Sequence, residues 1–314
     1  MDSYTFATYF NDAYANANWG TFFDADHMQR ILDYQKGTLK SSIPANGQYW
    51  QDGYGYGNDN VDWYKAIYKN NSFSEEHNIS ARGGNNMNSY YFSLDYLDED
   101  GLMKLSTESN ERYGATAKIN SQLLPWLKMQ YTMRFIRDNY KRPQAMTNSL
   151  YQDLARQGWP TLPFKDPNGY YYSSPSPALG LAQGGTDKYE DDNTYHQLSF
   201  VLEPIKNWIT HAEFNYHIES KDRHWDKHVL YNHDVNGNPY VYDKSSNVHE
   251  DYYKENYYNI NLYSEYSLSV ADNNFKLMGG FQAEDLDQKK FGLQRSGIIV
   301  DQLPVVDLTS GNSY

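Results

Sequence analysis

The sequence predicts an all-β fold: the wall of an antiparallel transmembrane β-barrel, about eight strands in this chain, with short helices in its long loops. Three observations lead there. Eight runs alternate apolar and polar residues with the two-residue period of a strand. The connections between those runs are alternately short and long, and aromatic residues collect near the run ends.

The expected strands are 77–84, 89–97, 112–122, 126–138, 195–203, 208–220, 255–268 and 274–285. In the first, Ile79, Ala81 and Gly83 face one way and Asn78, Ser80 and Arg82 the other. The second sets Tyr90, Phe92, Leu94 and Tyr96 against Ser89, Tyr91, Ser93 and Asp95. The cleanest is the fourth, with Leu127, Met129, Tyr131, Met133 and Phe135 opposing Lys128, Gln130, Thr132 and Arg134. The sixth opposes Ala212, Phe214, Tyr216 and Ile218 to His211, Glu213, Asn215 and His217. No apolar face carries a charge. A soluble sandwich would also alternate, so alternation alone does not choose between lipid and a second sheet.

The connections do choose. "GNNMN", "QLLP", "PIKN" and "VADNN" are short, whereas the stretches from Leu97 to Asn110, Asn139 to Thr194 and Lys221 to Lys254 are long. Short turns at one sheet end and long loops at the other are the arrangement of an outer-membrane barrel. Trp126 and Trp208 sit beside short turns; Tyr96, Tyr113, Phe135, Tyr216 and Tyr258 sit near the long loops. These are the positions of interfacial rings, which satisfy an apolar body and a polar edge together.

Composition sets the outer bounds. With 27 Lys+Arg against 40 Asp+Glu, the chain lacks the basic excess of a nucleic-acid binder. It has no cysteine, hence neither disulfides nor thiolate metal sites. No run approaches the ~18 apolar residues of a membrane helix, but barrel strands need only ~9–11, half of them facing away from lipid. "MDSYTFATYF" has neither the basic nor the apolar region of a signal peptide. The 32 Tyr, 13 Phe and 7 Trp suit a β-rich core or, more sharply, interfacial girdles and a sugar-binding surface.

Residues 1–76 read as an extracellular loop region with short helices, and 77–314 as the strands with their long loops. Phe6, Tyr9, Phe10 and Ala13 have helical spacing behind a Ser3 cap. A second helix runs from a cap at Asp24 through Met28, Ile31 and Leu32 to Gly37. "GQYWQDGYGYGNDN" reads as loop, and Leu150, Leu154 and Ala155 mark a helical patch between strands four and five.

On these residues the chain resembles the SusC/RagA family of TonB-dependent outer-membrane transporters. "HNISARGG" (77–84) and "YLDEDGLMK" (96–104) are the closest matches to its motifs. "MDSYTFATYFNDA", "NVDWYKAIY", "FKDPNGYYY", "SSPSPALGLAQGG" and "DQLPVVDLTSG" follow in the family's order, while "YQKGTLKSSIPANG" departs from its usual loop. The resemblance implies a ~22-stranded barrel with an N-terminal plug, of which this chain is an internal fragment. It also implies import of a nutrient, a glycan above all or a peptide. The partners it implies are a SusD-like surface lipoprotein, outer-membrane lipid and a TonB-ExbB-ExbD complex that acts through parts outside this chain. The alternatives are a soluble or surface-attached glycan-binding β-sandwich and a passive porin.

No enzyme signature is present: neither a nucleophile elbow nor a phosphate-binding glycine loop. No cofactor is expected. His224, His228 and His233 fall in what reads as a solvated loop, without the helix that i,i+4 zinc ligands need. "DVNGNP" has its glycine at the fourth position rather than the sixth, so it reads as a hairpin turn and not a calcium loop. "DPNG" (166–169) is likewise a turn. The candidate substrate surface is the polar strand face, with Arg134, His211, Glu213, Asn215, His217, Tyr263 and Glu265. The loop aromatics Trp159, Tyr170, Trp225 and Tyr240 join it as rings able to stack on sugars.

Overall fold

The computed structural model describes residues 1–156, 158–173 and 176–311. The chain opens with α1 (Ser3–Asn16) and α2 (Ala25–Gln35). The cap of α1 is Asp2, not Ser3. Its carboxylate accepts from the Thr5 amide at 2.9 Å and the Thr5 hydroxyl at 2.8 Å, while Ser3 is buried. Asp24 caps α2 as expected, accepting from the His27 amide at 2.7 Å, and Gly37 (φ +74°) ends the turn that follows. The stretch read as featureless loop holds a small hairpin, β1 (Ala45–Asn46) and β2 (Tyr49–Trp50), and a turn of helix, α3 (Gly53–Tyr56). Asp62 caps α4 (Trp63–Ile67).

Then come the eight long strands: β3 (Ser74–Gly84), β4 (Asn88–Asp100), β5 (Ser109–Leu124), β6 (Leu127–Pro143), β7 (Thr186–Ile205), β8 (Trp208–Lys227), β11 (Asn247–Val270) and β12 (Asn273–Ser296). Between β6 and β7 lie α5 (Asn148–Arg156), where the helical patch is expected, and α6 (Ala178–Gln183), for which spacing gives no helical reading. The Ser174 and Pro175 of the motif leading into α6 lie outside the described residues. Between β8 and β11 the hairpin β9 (Leu230–His233) and β10 (Pro239–Asp243) closes over the "DVNGN" turn. Asp234 organises that turn, accepting from the amides of Asn236 and Asn238 at 2.9 and 2.8 Å. A short 3-10 turn (Val306–Leu308) folds back on the end of β12, where Arg295 donates to the Val306 carbonyl.

The eight strands form one sheet in sequence order, each antiparallel to the next. Pairing puts Ile79, Leu94, Ala115 and Phe135 in one cross-strand row, and Leu198, Phe214 and Ile260 in another. The eight apolar faces therefore merge into a single face of the sheet. A one-residue slip at any seam would have broken it.

Strand ends at the short turns agree with expectation within two residues. At the long-loop end every strand is longer than expected: the fourth reaches Pro143 rather than 138, the fifth starts at Thr186 rather than 195, and the last ends at Ser296 rather than 285. Twenty-four residues extend roughly 80 Å, far more than a bilayer needs. Toward that end both faces of β6, β7, β8 and β11 become mostly polar. Arg137, Asp192, Ser220 and Lys254 continue the apolar face, while Asp138, Asp191, Lys221 and Tyr253 continue the other. Where both faces meet water there is no reason to alternate, so the period-two signal ends although the strand does not. The His224–His228 stretch is corrected on this ground: His224 belongs to β8, and both rings pair with the buried Asp226, at 3.4 and 2.7 Å.

The chain's protein core lies elsewhere. Val61, Trp63, Ile67, Met103, Leu150, Leu154, Leu162, Ala178 and Leu181 pack together, as do Ala7, Phe23 and Ile31. Residues 1–73 thus share their core with the β6–β7 loop. No described helix is long and apolar enough to cross a membrane.

Candidate functional site

The polar face of the sheet is the candidate site, and on β8 and β11 its solvation is inverted relative to a soluble sheet. There Phe214, Ile260 and Leu262 are 41, 42 and 47% exposed, whereas Asn259, next to Ile260 and on the opposite face, is 6% exposed. The His217 and Glu255 side chains retain only 20 and 19%. A sheet that curls around its polar face shields it in this way and turns the apolar face outward.

Register places the predicted residues in adjacent rows. One runs Lys128, Val201, His211, Tyr263. The next runs Asn120, Gln130, Ser199, Glu213, Asn261. Then come Arg82, Tyr91, Lys118, Thr132, Gln197, Asn215, Asn259 and Glu284. The fourth is Ser80, Ser93, Thr116, Arg134, Tyr195, His217 and Tyr257. Arg134, His211, Glu213, Asn215, His217 and Tyr263 are therefore neighbours on one surface. Glu265 lies nearer the short turns, paired with Lys276 at 2.6 Å.

Rings in these rows stack across strands. Tyr195 lies on His217 (centroids 4.3 Å, 4°) and His211 on Tyr263 (4.5 Å, 12°). Such pairs show their edges to the open side, so the Tyr hydroxyl and the imidazole nitrogens are what a ligand meets. His217 Nε2 lies 2.9 Å from Asn193 Oδ1, and Tyr253 donates to Glu255 at 2.5 Å.

Higher up, the polar face carries residues outside the sequence expectation. Asp187, nearly buried, accepts from both Arg142 and Arg223, with Nη2 to Oδ2 distances of 2.8 and 2.9 Å. Alternation gives no hint of this knot, because it lies where both faces are polar; only the pairing of β6, β7 and β8 assembles it.

The four loop aromatics are dispersed. Trp159 sits in a ring cluster with Phe6, Phe10, Phe22, Phe23 and Tyr54 (centroids 4.6–6.3 Å among these rings), and its carbonyl accepts from Trp63 Nε1 at 2.9 Å. Tyr170 stacks on His233 at 3.7 Å. Tyr240 meets Tyr49 edge-on at 5.0 Å. Trp225 is on β8 rather than in a loop. It stacks on His249 at 3.5 Å on the polar face, above the predicted residues. The "DPNG" and "DVNGN" turns dock through the Asn168 side-chain amide, which donates to the Asp234 carbonyl at 3.0 Å, and the β1–β2 turn joins through Val235 N to Gln48 O at 3.0 Å. Three separated segments thus form one platform over the sheet.

Titratable groups in the loops serve packing. His27, on α2, has Nε2 2.7 Å from the Gly57 carbonyl, and burial lowers its pKa. Burial raises that of Asp59 despite the Phe164 and Asn60 amides that donate to it, and burial with Asp59 nearby pushes Tyr34 up to about 12. Among the described residues no cluster of three or more His, Asp or Glu could hold a metal ion.

No family model and no curated protein sequence matches the chain. Solved structures do. The chain is similar to the RagAB peptide transporter, with 19% identity over 81% of this chain and 29% of that one and a TM-score of 0.62. It is also similar to the RagAB peptide importer in its 'closed-closed' state (16% identity, 96% and 34% covered, TM-score 0.68) and its 'open-open' state (17%, 98% and 34%, 0.68). The chain has a SusC/RagA-like fold, that of an antiparallel β-barrel wall, and spans about a third of the chains it matches.

Proposed function

We propose that this chain is part of an outer-membrane importer that admits a hydrophilic nutrient, a glycan or a peptide, along the polar face of its sheet. The observation that carries the proposal is one continuous apolar face running across eight strands, with the inversion clearest on β8 and β11, where apolar residues are exposed and the polar residues behind them are shielded. In water that face would be an aggregation surface; in a bilayer it is the lipid contact. The aromatic girdles fit the same reading. Trp208 and Tyr216, both on the outer face of β8, are eight residues apart, roughly 27 Å along the strand. Tilted by about 40°, that projects to about 21 Å, most of the ~25 Å apolar band of outer-membrane barrels.

The long loops lie on the side away from the short turns and fold into a built platform, which fits a surface lipoprotein of the SusD type seated over them. Energy would come from TonB-ExbB-ExbD through parts outside this chain, and the chain itself performs no catalysis. Two measurements on the full-length protein test this. An aqueous thiol reagent is expected to modify Thr132→Cys and to spare Met133→Cys in intact outer membranes. A surface lipoprotein is expected to co-purify in equal amount. Labelling of both cysteines would point to a soluble sandwich, and labelling of Thr132→Cys alone without a lipoprotein would point to a passive porin.

A further inference from the structure

The seam between β7 and β8 is fastened differently on its two faces, at the end where both strands run into the long loops. On the polar face Asp187 is held by Arg142 and Arg223, which stay charged at any ordinary pH. On the opposite face Asp226, 1% exposed, is held by imidazoles instead. His224 Nε2 lies 3.4 Å from its Oδ1, and His228 Nε2 lies 2.7 Å from its Oδ2. The Thr186 amide and hydroxyl donate to the same carboxylate at 3.1 and 2.9 Å. His224 shows what this arrangement requires. Its other ring nitrogen, Nδ1, lies 2.7 Å from Glu250 Oε1 on β11. Both nitrogens thus face carboxylate oxygens. A neutral imidazole has one N–H and one lone pair, so it would turn the lone pair toward one of the two oxygens; only the imidazolium donates to both.

The other charged groups nearby leave this pairing in place. Lys188 stands opposite His224 on β7 but is exposed, and Asp222 and Glu190 occupy the next row, Glu190 on Arg137. Lys227 pairs with Asp243. Arg295 shares the row of Asp226 two strands away and donates to the Val306 and Gly311 carbonyls. Asp301 and the Gln183 carbonyl, at the end of α6, add to the field that favours a charged His228. The same few residues carry the chain from sheet to loop. The His228 amide donates to the Gly184 carbonyl at 3.3 Å and the Gln144 amide to the Gly185 carbonyl at 3.1 Å. Gly185 (φ +99°) leaves no room for a Cβ beside Asp226. Just before it, Ala178 and Leu181 of α6 enter the core that the β6–β7 loop shares with α4.

We propose that Asp226, His224 and His228 form a protonation-set latch that fastens the β6–β7 loop to the wall, closed while the imidazoles are charged and loosened when they are neutral. The latch goes beyond the importer reading and does not rest on it. Its sign follows from the pairing. Asp226 raises the pKa of both histidines, so their contribution is complete below about pH 6.5 and is lost as pH rises through the higher folded values. Burial works to raise the Asp226 pKa, but the bonds from His224, His228 and Thr186 outweigh it and hold it low. Its contribution is therefore complete above about pH 4. The Asp187 knot has no alkaline limit in this range, so the seam loosens on one face only.

The test is hydrogen exchange of the full-length protein in bilayers at pH 6 and 8.5, corrected for the intrinsic pH dependence of amide exchange. Peptides covering 178–187 and 224–230 are expected to exchange at least about fivefold faster at pH 8.5. Those covering the short-turn ends of β7 and β8 should not change. His224→Gln with His228→Gln should give the fast rate at both pH values. His228→Lys, which keeps a charge beside Asp226 at both, should reduce the ratio by holding the slow rate. A wild-type ratio near one, or an undiminished ratio in either variant, would overturn the latch. The Thr132→Cys and Met133→Cys labelling tests the importer reading separately, and its failure would leave the latch standing.

Discussion

Ile31, Ile67 and Leu179 are fully buried in the loop assembly, while Leu94 and Leu277 on the strands stand 60 and 76% exposed. One chain thus follows two solvation rules. The loops pack like an ordinary soluble protein, with apolar residues inside and helix ends capped by Asp2, Asp24 and Asp62. On β8 and β11 this is reversed: Asn259 is shielded while Ile260 and Leu262 beside it are exposed. The difference teaches that buried area measures only part of this molecule. In the loops apolar surface is removed from water by protein. On the proposed importer reading it is removed by lipid on the sheet, and a large exposed side chain there is a contact completed by the bilayer rather than a defect.

That contrast can be broken most directly by emptying the loop core. Trp63, 3% exposed, packs edge-on against Phe164 (centroids 5.9 Å) and donates Nε1–H to Trp159. Trp63→Ala is expected to cost the loop assembly about 3–5 kcal/mol. It would be read as faster hydrogen exchange in α4 and α5, with the exchange of β5 and β6 unchanged. Faster exchange across the strands as well would mean that the two regions are one cooperative unit. On the sheet the informative change is polar rather than small. Met133→Arg, on the apolar face at mid-strand, should cost roughly 2–4 kcal/mol in bilayers, and Thr132→Arg, adjacent but on the hydrated face, much less. Denaturant titration of both variants folded into lipid measures this, and equal costs would erase the distinction between faces.

Two smaller effects sharpen the soluble half of the comparison. Asp24→Ala removes the carboxylate that accepts from the His27 amide and should weaken α2 by about 1 kcal/mol, read as exchange in its first turn. Acidification should loosen the same helix. Burial depresses the His27 pKa, so the unfolded segment binds the proton more readily. His27 therefore stabilises α2 fully above about pH 6.5, and that stability is lost as pH falls through the lower folded value. Exchange rates in α2 that do not change between pH 7 and 5 would contradict the assignment.

Much of the sheet was legible in the residues themselves. The side on which Met133 and Thr132 fall, the strand ends at the short turns, the Asp24 cap and the two loop turns all follow from spacing over a few positions. So does the sharing of one face by Arg134, His211, Glu213, Asn215, His217 and Tyr263. The strands' upper halves, α6 and the Asp187 knot were not legible. In each case the deciding neighbour lies on another segment or the solvent is the same on both sides, and neither leaves a periodic trace.

By itself the sequence determined facing and turn placement, because a strand's two sides and a turn's backbone are decided among adjacent residues. Only the tertiary structure decided which rows those residues share. Arg82 and Glu284 lie in one row although more than 200 positions separate them. Seven independent pairings had to hold their register to put them there. Row membership is a property of that register and of no segment alone, since backbone pairing and the shared apolar face set the alignment.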